Sequence, residues 1–187
     1  MSKGKLFVIS GASGVGKSTV LAKVMAGRGD LKFSVSATTR SPRPSEVEGV
    51  SYYFVTKERF EEMIRQDAFL EYDGHMDNFY GTPEKQVDEK LQCGSVILDI
   101  DPNGAFQVQQ KRKDAVLIFI TPPSMEALQQ RLQGRGDTSA EQMKLRLARA
   151  QWEMEQSKKY DYVVTNEQVD ACAEEITKII AKHCGEE

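Results

Sequence analysis

The stretch Gly11-Ala12-Ser13-Gly14-Val15-Gly16-Lys17-Ser18 satisfies the pattern G-x-x-x-x-G-K-[ST]. Its position restricts the fold as much as its letters do. The apolar run before it, 5–10, reads as a strand, and a helix is expected to begin near Lys17. Glycines let such a loop curl until successive backbone N–H groups face one anion, and the helix N-terminus behind it adds the positive end of its dipole. A chain that opens with strand, phosphate loop and helix is committed to an α/β architecture. Gly11, Ala12, Ser13, Gly14, Val15, Gly16, Lys17, Ser18 and Thr19 are therefore expected to hold a nucleoside triphosphate, with Lys17 reaching its β and γ phosphates. Ser18 is expected to offer its hydroxyl to a magnesium ion bridging those phosphates.

The rest of the chain keeps that rhythm. Apolar segments recur at 6–9, 33–37, 96–100, 115–120 and 162–164, most of them without alternation, as in strands covered on both faces, so a central parallel sheet of these five is expected. Val169, Cys172, Ala173, Ile176, Ile179 and Ile180 share one helical stripe. Two regions break the pattern. From Arg40 to about Pro83, Tyr-, Phe- and Gly-rich segments surround a helix expected over 58–66, which reads as an inserted small mixed β subdomain. The polar segment 134–141 separates a helix opened by Ser124 from one carrying Met143, Leu147, Ala150 and Met154, the pattern of a helical lid. The expectation is one three-layer domain over 1–187, with its core at 1–38, 84–124 and 158–187, the insertion at about 39–83 and the lid at about 125–157.

Composition enters by exclusion. A formal charge of −3 over 187 residues argues against general affinity for nucleic acid or an anionic membrane, which needs excess Lys and Arg on one face. No apolar run approaches the roughly 20 residues that span a bilayer, and a cytoplasmic location is expected. Cys93, Cys172 and Cys184 have neither paired number nor C-x-x-C spacing, so neither a complete disulfide framework nor a zinc site is suggested.

A phosphate loop alone does not separate kinases from switches and motors; a second anion site does. Arg40 and Arg43 flank the stiffening Pro42, and guanidinium forks suit phosphate oxygens, although such a loop can also be merely basic and solvated. Asp99 and Asp101 end an apolar strand, where open α/β sheets place ligand groups. Asp101 can equally cap the helix expected near Pro102. Arg131, Arg135, Arg146 and Arg149 lie in or beside the lid, Arg149 reading as a solvated helix residue and Trp152 as a packing residue.

These motifs, in order, resemble guanylate kinase: G-A-S-G-V-G-K-S-T, S-V-S-A-T-T-R-S-P-R-P-S-E-V-E-G-V-S-Y-Y-F, F-L-E-Y, N-F-Y-G-T, I-L-D-I-D and R-L-Q-G-R-G through Val163-Val164-Thr165-Asn166. The resemblance covers nearly the whole chain. It implies transfer of the γ-phosphoryl group of MgATP to GMP, with dGMP a possible acceptor, by a monomer or small homo-oligomer. Ser36, Arg40, Arg43, Tyr52 and Tyr80 would hold the GMP phosphate, while Glu71, Thr82 and Asp101, beside Gly81, would read the guanine edge. A carboxylate can accept from both N1–H and the 2-amino group, a donor pair adenine lacks. Asp99 resembles the acidic residue that organises magnesium. Arg135 and Arg146, with Arg131 next, resemble residues on the ATP phosphates, Lys17, Arg43, Arg135 and Arg146 being the catalytic set, and Asn166 resembles a position near adenine. Pro102-Asn103 replaces the Trp-Gln of many relatives. Two rivals remain at this point: a guanylate-kinase-like scaffold that binds phosphopeptides without catalysis, and a kinase for another nucleotide.

Overall fold

The computed structural model describes residues 4–75, 77–133 and 140–186. Its larger sheet is built from β1 (Leu6–Gly11), β2 (Leu31–Phe33), β7 (Ser95–Asp99), β8 (Val116–Thr121) and β9 (Tyr162–Thr165) in the order β2-β7-β1-β8-β9, every pairing parallel. Because both faces of the sheet are covered, neighbouring apolar residues of one strand serve different layers. Phe7 and Ile9 pack with Val20, Leu21 and Val24 of α1 (Lys17–Gly27) and with Ile176 and Ile180 of α7 (Val169–Cys184). Leu6 and Val8 pack on the other side with Val87 and Leu91 of α3 (Glu84–Leu91) and with Ala105 and Val108 of α4 (Pro102–Lys111).

The smaller sheet is mixed. It joins β3 (Ala37–Thr38), β4 (Tyr53–Phe54), β5 (Phe69–His75) and β6 (Asn78–Pro83) in the order β4-β3-β6-β5, with β3 parallel to β4 and antiparallel to β6. Helix α2 (Lys57–Arg65), capped by Thr56, buries Phe60 against Phe69 and Phe79, the ring centroids 4.5 and 5.5 Å apart. This aromatic cluster is a core separate from those of the larger sheet.

No single strand runs over 33–37, contrary to the sequence expectation. The edge strand of the large sheet is Leu31–Phe33, and its pairing ends where Ser34 N–H reaches the Ile97 carbonyl at 3.0 Å. Two residues later Ser36 carbonyl accepts from Tyr53 N–H at 2.9 Å, so Ala37–Thr38 belong to the smaller sheet. Beyond β8 follow α5 (Met125–Gln133), opened by Ser124 Oγ accepting Ala127 N–H at 3.1 Å, and α6 (Ala140–Gln156). Pro102 takes the first position of α4, where its missing N–H costs nothing, and Asp101 caps that helix by accepting Gly104 N–H at 3.0 Å.

Candidate active site

The phosphate loop leaves β1 at Gly11 and enters α1 at Lys17. Gly14 and Gly16 have φ of 87° and 93°, the left-handed region that glycine enters without a Cβ penalty. Ala12 and Val15 are buried beneath the loop and fasten it to the core. The Val15 carbonyl faces inward, where an unpaired acceptor would be costly. Asn166 Nδ2 donates to it at 2.8 Å and Arg131 Nη1 at 3.1 Å, while Arg131 Nη2 reaches the Asn166 carbonyl at 2.9 Å. Arg131 and Asn166, expected at the ATP, thus stand behind the loop in this structure, and the cavity in front of it is lined by neither.

Lys17 enters that cavity and pairs with the Asp99 carboxylate. Burial pulls its pKa down to about 8, against the opposing pull of Glu153 and Asp101. The in-register pairing of Ile9 with Asp99 explains the meeting, since it brings the end of β7 beside the start of the loop. Glu153 was not found by sequence reasoning. It is a buried carboxylate on α6 that accepts Ser13 N–H at 2.8 Å and Arg149 Nε at 3.0 Å. Its only sequence signal is the i, i+4 spacing to Arg149 on a helix.

A second cavity adjoins the first. Ser36, Tyr52, Glu71, Tyr80, Asp99 and Asp101 line it. Glu71 is 6% exposed, and its Oε1 accepts the Thr82 hydroxyl at 2.5 Å across the β5–β6 ladder. Burial raises the Glu71 pKa to about 7; the Thr82 hydrogen bond opposes the rise, and the nearby Asp101 and Asp73 carboxylates add to it. Gly104 permits this packing, because a Cβ there would lie 2.6 Å from Glu71 Oε2. Gly81 is buried between β3 and β5, where a Cβ would press on the Phe69 ring at 2.9 Å.

At the other end Tyr52 and Tyr80 meet edge to face, with centroids 6.1 Å apart. The Arg40 guanidinium lies 5.5 Å from the Tyr52 ring centroid. Glu46 holds Arg40 by contacts of 2.7 and 3.0 Å and accepts Arg43 N–H at 2.8 Å, so this carboxylate occupies the fork that an incoming phosphate would need. The side chains of Arg43 and, on α6, Arg146 are exposed. Arg135 lies outside the described residues. Arg149, read from sequence as solvated, is 41% exposed and also lines the second cavity, donating to Asp101 at 3.1 Å. Trp152, read as packing, is 36% exposed beneath the Arg149 guanidinium, 5.0 Å away.

The two cavities share Asp99, Ile100 and Asp101 as a common wall. An anion on the loop and a ligand on the smaller sheet would therefore meet end to end over the tip of β7. Among the described residues no helix is long and apolar enough to cross a membrane.

Residues 3–183 match a family model described as guanylate kinase. The chain is 48% identical to a guanylate kinase of Lactococcus lactis, covering 97% of this chain and 89% of the relative. It is 47% identical to one from Streptococcus pneumoniae, with 97% and 88% covered. Among solved structures, a guanylate kinase from Anaplasma phagocytophilum superimposes with a TM-score of 0.78 at 34% identity, covering 97% of this chain and 86% of that one.

Proposed function

We propose how a chain that belongs to the guanylate kinase family, and so transfers a phosphoryl group from ATP to GMP, divides that work among its own residues. The carrying observation is the shared wall of Asp99, Ile100 and Asp101 between the phosphate-loop cavity and the acceptor cavity. ATP lies along Gly11 to Thr19 with its γ-phosphate turned toward that wall. GMP lies across the smaller sheet, its base at Glu71 and Thr82 and its phosphate at Ser36, Tyr52, Tyr80 and Arg40. The acceptor oxygen is already anionic, so transfer needs alignment and charge stabilisation and no general base.

Lys17 supplies the charge on the loop side, and Asp99 holds its ammonium until phosphate arrives. Arg43, Arg135 and Arg146 are assigned to the transferring group on closure. Arg131 and Asn166 keep the loop in shape from behind. Asp101 anchors Arg149 and caps α4, which puts it beside the base without making it the principal reader. Ser18 and Asp99 line the loop cavity with a hydroxyl and a carboxylate, hard oxygen donors of the kind Mg²⁺ takes alongside phosphates and water. When bound, that ion would neutralise charge between the β and γ phosphates. The cytoplasm, which supplies both nucleotides, is the compartment this reading implies.

Coupled-assay phosphoryl transfer from ATP to GMP, AMP, CMP and UMP tests the assignment. Turnover with GMP far above the others is expected, because Glu71 offers a buried acceptor to the guanine donor pair. Turnover with none of them would restore the scaffold reading, which the intact loop and the comparisons do not favour.

A further inference from the structure

Resting on that reading, we propose that Asp73 recognises the ribose of the acceptor nucleotide and makes the enzyme prefer GMP to dGMP. The β5–β6 register carries the argument. Glu71 pairs with Thr82, and Asp73 pairs with Tyr80. Side chains two apart on a strand share a face, and Glu71, Asp73 and Tyr80 all line the acceptor cavity. Asp73 thus stands about 7 Å along β5 from the base reader and directly across the ladder, about 5 Å between backbones, from a tyrosine at the phosphate end. A ribose joining a base at Glu71 to a phosphate at Tyr80 has to pass this corner. Gly74, the next residue, also lines the cavity and leaves it open.

The Asp73 carboxylate is aimed before any ligand arrives. Its Oδ1 accepts its neighbour Gly74 N–H at 2.7 Å, and its Oδ2 accepts Asn103 Nδ2 at 3.1 Å from the first turn of α4. A carboxylate has room for about four hydrogen bonds, so acceptor capacity remains toward the cavity. The Arg149 guanidinium in the same cavity offsets part of the cost of an anion beside an incoming phosphate monoester, and a donor on the ligand would offset more. The guanine donors are committed to Glu71, and the ionised phosphate has none to give. The ribose hydroxyls are the donors left at this level, and the 2′-hydroxyl is the one dGMP lacks.

The test is kcat/KM with GMP and with dGMP for the wild-type chain, Asp73→Ala and Asp73→Asn. A hydrogen bond to a charged acceptor predicts a wild-type preference for GMP of about tenfold or more. Asp73→Ala should bring the ratio to within about twofold of unity, and Asp73→Asn, which keeps a carbonyl acceptor, should fall between. Loss of the Asn103 contact slows both acceptors alike and cancels in the ratio. A wild-type ratio near one, or an Asp73→Ala ratio equal to wild type, overturns the proposal. Absence of wild-type turnover with GMP would instead overturn the reading beneath it.

Discussion

Acidifying the assay from about pH 8 to about pH 6 should weaken GMP use through one carboxylate. Glu71 rises from 4.5 to about 7, chiefly because it is buried, a shift corresponding to about 3 kcal/mol. The folded protein holds this proton more tightly than the unfolded chain. Burial of Glu71 therefore costs stability in full above about pH 7, and the cost fades as pH falls toward 4.5. Guanine needs the other form, since N1–H and the 2-amino group donate to a carboxylate and not to a carboxyl. Protonation then competes with GMP, raising its apparent KM about twofold at pH 7 and about tenfold at pH 6 relative to pH 8. The GMP phosphate titrates nearby, so Glu71→Gln is the control: it binds the same phosphate without titrating at this position. At pH 8 that variant should raise the KM for GMP about tenfold to a hundredfold and leave the KM for ATP within about twofold. Its profile between pH 6 and 8 should be flatter than wild type, and its melting temperature should exceed wild type at pH 8 but not at pH 5. Parallel pH profiles for the two proteins, or equal losses for GMP and ATP, would refute the assignment.

Lys17→Ala should lower kcat by about a hundredfold or more while circular dichroism shows an unchanged fold, because it removes one charge aimed at the phosphates. With the Lys17 pKa at about 8 before nucleotide binds, ATP binding at pH 8 should take up about half a proton. Calorimetry in buffers of different ionisation enthalpy reads this number, and zero uptake would count against it. Gly14→Ala places a side chain at φ 87° with its Cβ 2.5 Å from Leu132 Cδ2. It should destabilise the protein by about 1–3 kcal/mol in denaturant melts.

Four strands of the large sheet were legible because they are largely continuous apolar runs, and the phosphate loop because its glycines sit between a strand and a helix. The edge strand was misplaced for a local reason. Phe33 and Ala37 belong to one short segment, Phe-Ser-Val-Ser-Ala, yet the backbone hydrogen bonds of Ser34 and Ser36 go to different sheets, and no side-chain pattern records that change of partner. That Glu71 and Thr82 come together followed from the F-L-E-Y and Y-G-T motifs. Glu46, Glu153 and Asp73 did not, because an acidic side chain on a loop, helix or strand looks solvated until the packing shows what it accepts. Arg131 and Arg149 posed the opposite problem. Their charge was visible in the sequence, but whether it faced backbone carbonyls, a carboxylate or open water depended on helices α5 and α6 coming to rest against β1 and β7.

The double hold on the Val15 carbonyl reaches further than the loop itself. With its underside tied to the last strand by Asn166 and to α5 by Arg131, the phosphate cradle is stiff before nucleotide enters, so little chain freedom remains to be lost on binding. The same ties make distant segments answerable for it: a change that loosens the end of β9, more than a hundred residues away in sequence, would slacken the cradle without touching any group that meets ATP.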